Sequence, residues 1–142
     1  MKAVRLLQGP GFAFSVPLRW TVRRGPSVLA AQSGTSVVSA TAFRLLKPYD
    51  PALFAKVTVE LDRNAAELAA QAHGTLTEKM TTTVAGRKIR AYRYTAAGFV
   101  TRLGFVLEGK REVQLLCRAS AGSADPDGAC GLLFRSFRLR AA

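Results

Sequence analysis

Alternating basic and aromatic side chains form the first group of residues whose types and spacing could do chemistry. They are Lys88, Arg90, Tyr92 and Tyr94 on one predicted strand, with Arg102 on the next. Alternate residues of a strand share a face, and such a set could follow a phosphate backbone while its rings stack on bases. The same residue types also line ordinary strand faces that pack against a covering layer. We expect packing, and we keep all five as the candidate binding residues.

The two cysteines form the second group. Cys117 shares a strand face with Val113 and Leu115, whereas Cys130 lies on the apolar stripe of a predicted closing helix that should cover this face. Both thiols therefore point into one interior layer, and we predict that they are close enough for a disulfide. An exported chain would carry the bond, whereas a cytosolic chain would keep two buried free thiols.

Residues typical of catalytic and metal sites are sparse. Asp125-Pro126-Asp127-Gly128 resembles the start of a calcium loop, but Cys130 and Ser136 stand where that loop needs Gly and a bidentate Glu. Helix capping explains this stretch better. The one histidine, His73, falls at a predicted helix end, and no Gly-x-Ser-x-Gly elbow is present. We therefore predict no catalytic residue, no metal and no cofactor, and a protein that is not an enzyme.

The charge of the chain bears on its partners. Its 142 residues include 21 Lys and Arg against 9 Asp and Glu, a formal net charge of +12. The basic residues are spread from Lys2 to Arg140, so the charge belongs to the folded body and attracts anionic partners through its long-range field. We expect an unknown protein or anionic partner. Nucleic acid is less favoured, and peripheral contact with a membrane surface stays open.

Hydropathy gives a limited indication of location. The chain has no run of 18 apolar residues, so it predicts no membrane span. Residues 1–22 lack the continuous apolar stretch of a signal peptide. We expect an extracytoplasmic protein whose leader or lipid anchor would lie upstream of Met1, and a cytoplasmic location stays open.

Hydrophobic periodicity predicts the elements that must position these residues. Short strands fill the first third of the chain, and Asp50-Pro51 then provides a cap and a first helical residue. The long helix should span about residues 51–73, with Leu61 on an apolar stripe that packs on a sheet. Gly74 is expected to end it as a C′ glycine.

The second half of the chain has period two and then returns to helical spacing. An antiparallel meander of four strands is predicted at residues 75–84, 87–95, 99–107 and 112–119. A closing helix follows at about residues 126–137, and its apolar face should cover the sheet. Strands, a helix, hairpin-linked strands and a second helix indicate an α+β fold.

Both ends of the chain carry motifs that resemble those of PsbP-like domains. The family's opening motif, Gly-Phe-x-Phe-x-x-Pro-x-x-Trp, is similar to Gly11-Phe12-Ala13-Phe14-Ser15-Val16-Pro17-Leu18-Arg19-Trp20. The family's closing helix and its Ser-Phe signature resemble Leu132-Leu133-Phe134-Arg135-Ser136-Phe137. The resemblance covers essentially the whole chain and implies a single PsbP-like domain over residues 1–142. It also implies a three-layer α/β/α sandwich around an antiparallel sheet, and an accessory or binding role instead of a reaction.

The residues and the resemblance together lead to one functional hypothesis and one alternative. The hypothesis is a non-catalytic binding or accessory module of unknown ligand that works outside the cytoplasm, as secreted or lipoprotein-like members of the family do. The alternative is an intracellular nucleic-acid or anion-binding domain that uses the basic and aromatic strand face.

Overall fold

The computed structural model describes residues 3–123 and 125–141. Within these residues the chain forms nine strands, two α-helices and two one-turn 3-10 helices. In chain order the strands and α-helices are β1 (Val4–Gly9), β2 (Phe12–Pro17), β3 (Thr21–Arg24), β4 (Val28–Ser33), β5 (Ser36–Tyr49), α1 (Phe54–Gln71), β6 (Thr75–Val84), β7 (Arg87–Ala96), β8 (Phe99–Ser120), α2 (Ala129–Ser136) and β9 (Arg138–Leu139).

The strands form two antiparallel sheets. The larger has six strands in the order β3-β4-β5-β8-β7-β6, and the smaller has three in the order β1-β2-β9. Helix α1 packs on one face of the large sheet, at β6 and β7. The small sheet and α2 pack on the other face. The predicted α+β sandwich is confirmed, and the layer opposite α1 contains a small sheet as well as a helix.

Each face of the large sheet has its own apolar core. The larger core joins the aromatic residues of the opening and closing motifs, and the Phe12 ring stacks on that of Phe137 with centroids 5.9 Å apart. Leu61 and Ala65 of α1 pack against Leu103 and Phe105 in the smaller core. The residue types of the motifs are thus explained by packing. That residues 1–142 form a single domain stays a prediction.

Strand β8 runs through a point where the sequence predicted a turn. The prediction of separate strands at 99–107 and 112–119 is wrong, because residues 99 to 120 form one strand of 22 residues. Gly109, in the supposed turn, adopts a φ of +55° inside the strand. Beside it the register between β5 and β8 shifts, as at a β-bulge. Leu103 faces α1, whereas Leu115, also odd-numbered, faces the small sheet, so the irregularity reverses the side-chain alternation.

The long helix begins as predicted and ends differently. The Asp50 carboxylate accepts a hydrogen bond of 2.9 Å from the Ala52 N–H, and a 3-10 turn over Pro51–Leu53 leads into α1. At the other end His73 takes the left-handed conformation, with φ at +57°. The Gly74 N–H bonds to the Ala69 carbonyl, which completes a Schellman motif with His73 at C′. The prediction that Gly74 is the C′ residue is therefore wrong. Glycine is needed at position 74 for another reason, because a Cβ there would collide with the Thr95 carbonyl of β7.

The closing helix is shorter than the predicted 126–137. A 3-10 turn over Pro126–Gly128 comes before α2. The Asp125 carboxylate accepts bonds of 2.7 Å from the Cys130 N–H and 3.1 Å from the Gly131 N–H, so it caps the first turn as the capping interpretation requires. Ser136 accepts the Ser15 N–H at 2.8 Å and donates to the carbonyl of Leu132, which ties the helix end to β2.

The predicted cysteine pair is confirmed. Cys117 on β8 and Cys130 on α2 lie within disulfide-bonding distance, with Cα atoms 5.5 Å apart and a sequence separation of 13. Both residues are buried in the larger core. The bond links the end of β8 to the start of α2 across the connecting loop.

Leu61→Ala should lower the free energy of unfolding by roughly 2 to 5 kcal/mol, because it leaves a cavity at a side chain that is 3% exposed. Val59→Ala, on the outer face of the same helix, is the matched control and should change it by less than about 0.5 kcal/mol. Urea denaturation of both variants measures the difference. Equal effects would contradict the packing of α1 on the sheet.

Replacing both cysteines by alanine should lower the free energy of unfolding by roughly 2 to 4 kcal/mol, because the disulfide reduces the conformational entropy of the unfolded chain. Thermal denaturation with and without reductant measures this effect. Reductant should destabilise the native protein and leave the double variant unchanged. A native protein that is indifferent to reductant would rule out a stabilising disulfide.

Candidate binding site

The structure divides the five candidate binding residues between two faces of the sheet. Lys88, Arg90, Tyr92 and Tyr94 share the face of β7 that lies under α1, and Tyr92 is only 2% exposed. Arg102 pairs in register with Arg93 and therefore faces the other side. Its guanidinium lies 5.1 Å from the centroid of the Phe134 ring of α2. The expectation that Arg102 shares the face of the other four is wrong. In the pairing of β7 with β8, Leu103 lies opposite Tyr92 and Arg102 lies opposite Arg93, whose side chain points away from α1.

Two of these residues hold α1 against the sheet. Arg90 donates to both carboxylate oxygens of Asp62, at 2.9 and 3.2 Å, and the Tyr92 hydroxyl donates to the same carboxylate. The bonds from Arg90, helped by the one from Tyr92, hold the pKa of Asp62 below its ordinary value. Burial, followed by the bond to Asp62, raises the pKa of Tyr92. These groups are partners of each other and present no open surface for stacking bases.

Lys88 lies at the exposed end of the same face, beside an apolar cleft. Its Nζ is 5.0 Å from the centroid of the Phe54 ring, a cation–π contact. The cleft measures about 360 Å³ and is lined by Tyr49, Pro51, Phe54, Gly86, Arg87, Lys88, Leu107, Glu108 and Gly109. Burial, and then the neighbouring Asp50, raise the pKa of Tyr49. The Tyr49 hydroxyl is protonated near neutral pH, as a tyrosine is even without this shift, so it can donate a hydrogen bond.

A second cleft, on the small-sheet side of the same sheet end, gathers arginines. It measures about 330 Å³, and its described lining residues are Ala85, Arg87, Glu108, Arg111, Arg138, Leu139, Arg140 and Ala141. We call it the arginine cleft. Four arginines against one glutamate leave a formal excess of three positive charges among these residues. The two clefts share Arg87 and Glu108, whose ion pair separates them.

Three elements and the Gly109 irregularity position the arginine cleft. Glu108, next to Gly109 on β8, pairs with Arg87 at the start of β7 and with Arg111 further along β8. Arg111 also donates to the carbonyls of Gly11, at 3.1 Å, and Arg140, at 2.6 Å. The guanidinium of Arg111 is therefore fixed from three sides. Its contact with Arg140 joins β8 to the chain that leaves β9.

Sequence reasoning missed this cleft. Its charged residues are spread from position 87 to position 140, and no local motif connects them. Arg138 and Arg140, two positions apart at the chain end, were the one available signal. Their role is visible only in the folded chain, where β9 pairs with β2 and the Arg140 carbonyl contacts Arg111 of β8.

Other kinds of site have little support in the described part of the chain. Within residues 3–123 and 125–141, no group of three His, Cys, Asp or Glu side chains could hold a metal ion. In the same residues, neither helix has the length and apolar character that crossing a membrane requires.

The chain is similar to known proteins in its three-dimensional structure. Neither a family model nor a curated protein matches the chain in sequence. The solution structure of cyanobacterial PsbP, CyanoP from Synechocystis sp. PCC 6803, superposes with a TM-score of 0.69 over 98% of this chain and 94% of that one, at 11% identity. The chain has a PsbP-like fold. This confirms the fold suggested by the opening and closing motifs.

A second solved structure shows the same fold inside a longer protein. A crystal structure from Bacteroides thetaiotaomicron VPI-5482 superposes with a TM-score of 0.64 at 12% identity. The match covers 99% of this chain and 50% of that chain. The PsbP-like unit therefore makes up about half of that protein.

Asp62→Asn should destabilise the protein by roughly 1 to 3 kcal/mol near pH 7, because it removes the charged acceptor of Arg90 and Tyr92. The folded-state pKa of Asp62 is lowered, so its contribution is complete above the unfolded value of about 3.9 and is lost as the pH falls through the folded value. Urea denaturation from neutral to acid pH measures the difference, which should shrink below about pH 4.

The matched control for this experiment is Glu67→Gln on the exposed face of α1. It should change the stability by less than about 0.5 kcal/mol at every pH. A difference between native protein and Asp62→Asn that persists unchanged in acid would contradict the role given to the Asp62 charge.

Proposed function

We propose that this protein is a non-catalytic binding or accessory module that works outside the cytoplasm and binds an anionic ligand or surface. The observation that carries the proposal is the arginine cleft, an open concavity with four guanidinium groups and one carboxylate among its described residues. Guanidinium groups bind carboxylates and phosphates through paired hydrogen bonds. Fixed cations in a concave site bind anions without any chemical step.

The PsbP-like fold supports an accessory role. The likeness to the cyanobacterial PsbP structure extends over nearly the full length of both chains. A fold does not by itself determine a function, so the arginine cleft carries the assignment and the fold agrees with it. The net charge of +12 adds long-range attraction for an anionic partner.

The cysteine pair supports a location outside the cytoplasm. Cys117 and Cys130 meet with disulfide geometry in the core, and disulfides persist in oxidising compartments. Antibody detection in fractions of the source cells tests this part of the proposal. We expect the protein in the extracytoplasmic fraction with no titratable thiol. A cytoplasmic protein with two free thiols would overturn it.

Binding is tested with two polyanions of different chemistry, polyglutamate and random-sequence double-stranded DNA, titrated by fluorescence anisotropy over a range of salt. We expect polyglutamate to bind at low salt, more weakly as screening increases. We expect little DNA binding at physiological salt. Failure to bind any polyanion at low salt would overturn the anionic ligand.

The nucleic-acid alternative predicts the reverse result. Tight DNA binding at physiological salt, with a steep dependence on salt, would favour it. It would need a surface other than the one predicted from sequence, because Tyr92 is buried under α1 and Arg90 is paired with Asp62.

A further inference from the structure

We propose that the arginine cleft is a binding site for a terminal phosphate group with two negative charges, as in pyrophosphate or a phosphate monoester. This inference rests on the proposed function and gives its ligand a chemical class. Three observations support it: four arginines line the cleft, two of them are held by Glu108, and the cleft has room for a phosphate group and the group that carries it.

The single carboxylate of the described lining is already fully used. One oxygen of Glu108 pairs with Arg87 and the other pairs with Arg111. Arg138 and Arg140 have no ion pair with any described residue, and both are exposed. The cleft therefore combines two arginines whose charges are partly balanced with two whose charges are not.

The fixed arginines reduce the entropy cost of binding. Arg111 is held by Glu108 and by the backbone carbonyls of Gly11 and Arg140. The chain that carries the other two is also anchored, because the Arg140 N–H donates to the Gly11 carbonyl at 2.8 Å and Leu139 pairs with Phe12. Because the Arg111 guanidinium and the backbone that carries Arg138 and Arg140 are held in place before binding, less conformational freedom is lost when a multivalent anion binds.

The charge and the volume favour phosphate over a simple carboxylate. Glu108 shows that one carboxylate occupies two of these arginines, which leaves the other two without a partner. A terminal phosphate has three oxygens and up to two charges at neutral pH, so it can accept bonds from several guanidinium groups together. The volume of about 330 Å³ also leaves room for the group that carries the phosphate.

Several arginines elsewhere on the surface are neutralised by nearby acids. Arg63 pairs with Glu60 on α1, and Arg93 pairs with Glu78 across β6 and β7. Other arginines, such as Arg5 and Arg23, have no ion pair with a described residue either; the arginine cleft differs because four arginines line one concave site. This difference separates a localised site from the general attraction of a basic protein.

The test is calorimetric titration of the full chain with pyrophosphate at low ionic strength. Arg138→Gln/Arg140→Gln should weaken binding at least about tenfold, because it removes the two unpaired charges. The matched control, Arg5→Gln/Arg23→Gln, removes the same charge from exposed positions on β1 and β3 and should change the affinity less than about threefold. Melting temperatures check that both variants fold.

Three results decide the proposal. Selective loss in Arg138→Gln/Arg140→Gln supports it. Equal loss in both variants would show that net charge alone attracts pyrophosphate and would overturn it. Polyglutamate binding without pyrophosphate binding would overturn the phosphate site and leave the proposed function standing.

Vesicle flotation distinguishes a lipid source of the phosphate from a soluble one. Vesicles with phosphatidic acid present a phosphate monoester, whereas phosphatidylserine vesicles of equal charge do not. Retention on phosphatidic acid alone, reversed by pyrophosphate and lost in Arg138→Gln/Arg140→Gln, supports a lipid headgroup. Pyrophosphate binding without retention on either vesicle supports a soluble phosphate compound.

Discussion

Strand β8 forms backbone hydrogen bonds with β7 through its first half and with β5 through its second half. The rest of the sheet depends on this pairing, since β6 and β7 join β3, β4 and β5 only through β8. Because β8 pairs with β7 along one half and with β5 along the other, it has to continue beyond the end of its hairpin with β7. The Gly109 irregularity makes this possible, and its reversal of the side-chain alternation gives each half of β8 apolar residues for its own core. It also places Glu108 where Arg87 and Arg111 can both reach it.

Helix α1 determines what the basic and aromatic stripe of β7 can do. A buried tyrosine needs a partner for its hydroxyl, and a half-buried arginine needs a carboxylate. Asp62 provides both, so residues that could have formed an open surface became an attachment for the helix. Lys88 lies at the edge, where the helix begins, and this exposed residue has its ammonium group over the Phe54 ring.

The positive charge of the protein is balanced by nearby acids in some places and not in others. Arginines with acid partners on α1, β6 and β7 add little to the local potential. At the end of the large sheet, β8, the β6–β7 turn and the chain around β9 meet, and arginines outnumber the described carboxylates there. A localised excess of this kind can select an anion by its shape and charge, which a uniform net charge cannot do.

The sequence by itself determined the elements and much of the packing of this protein. Asp50-Pro51 set the start of the long helix, strand alternation and helical spacing brought Cys117 and Cys130 into one layer, and the opening and closing motifs indicated the fold. These signals are local, because caps, turns and periodicity depend on residues a few positions apart. The continuous course of β8, the position of Arg102 and the arginine cleft were decided by tertiary structure alone. Each depends on register or on contacts between distant segments, and a shift of one position in register moves a strand side chain to the opposite face.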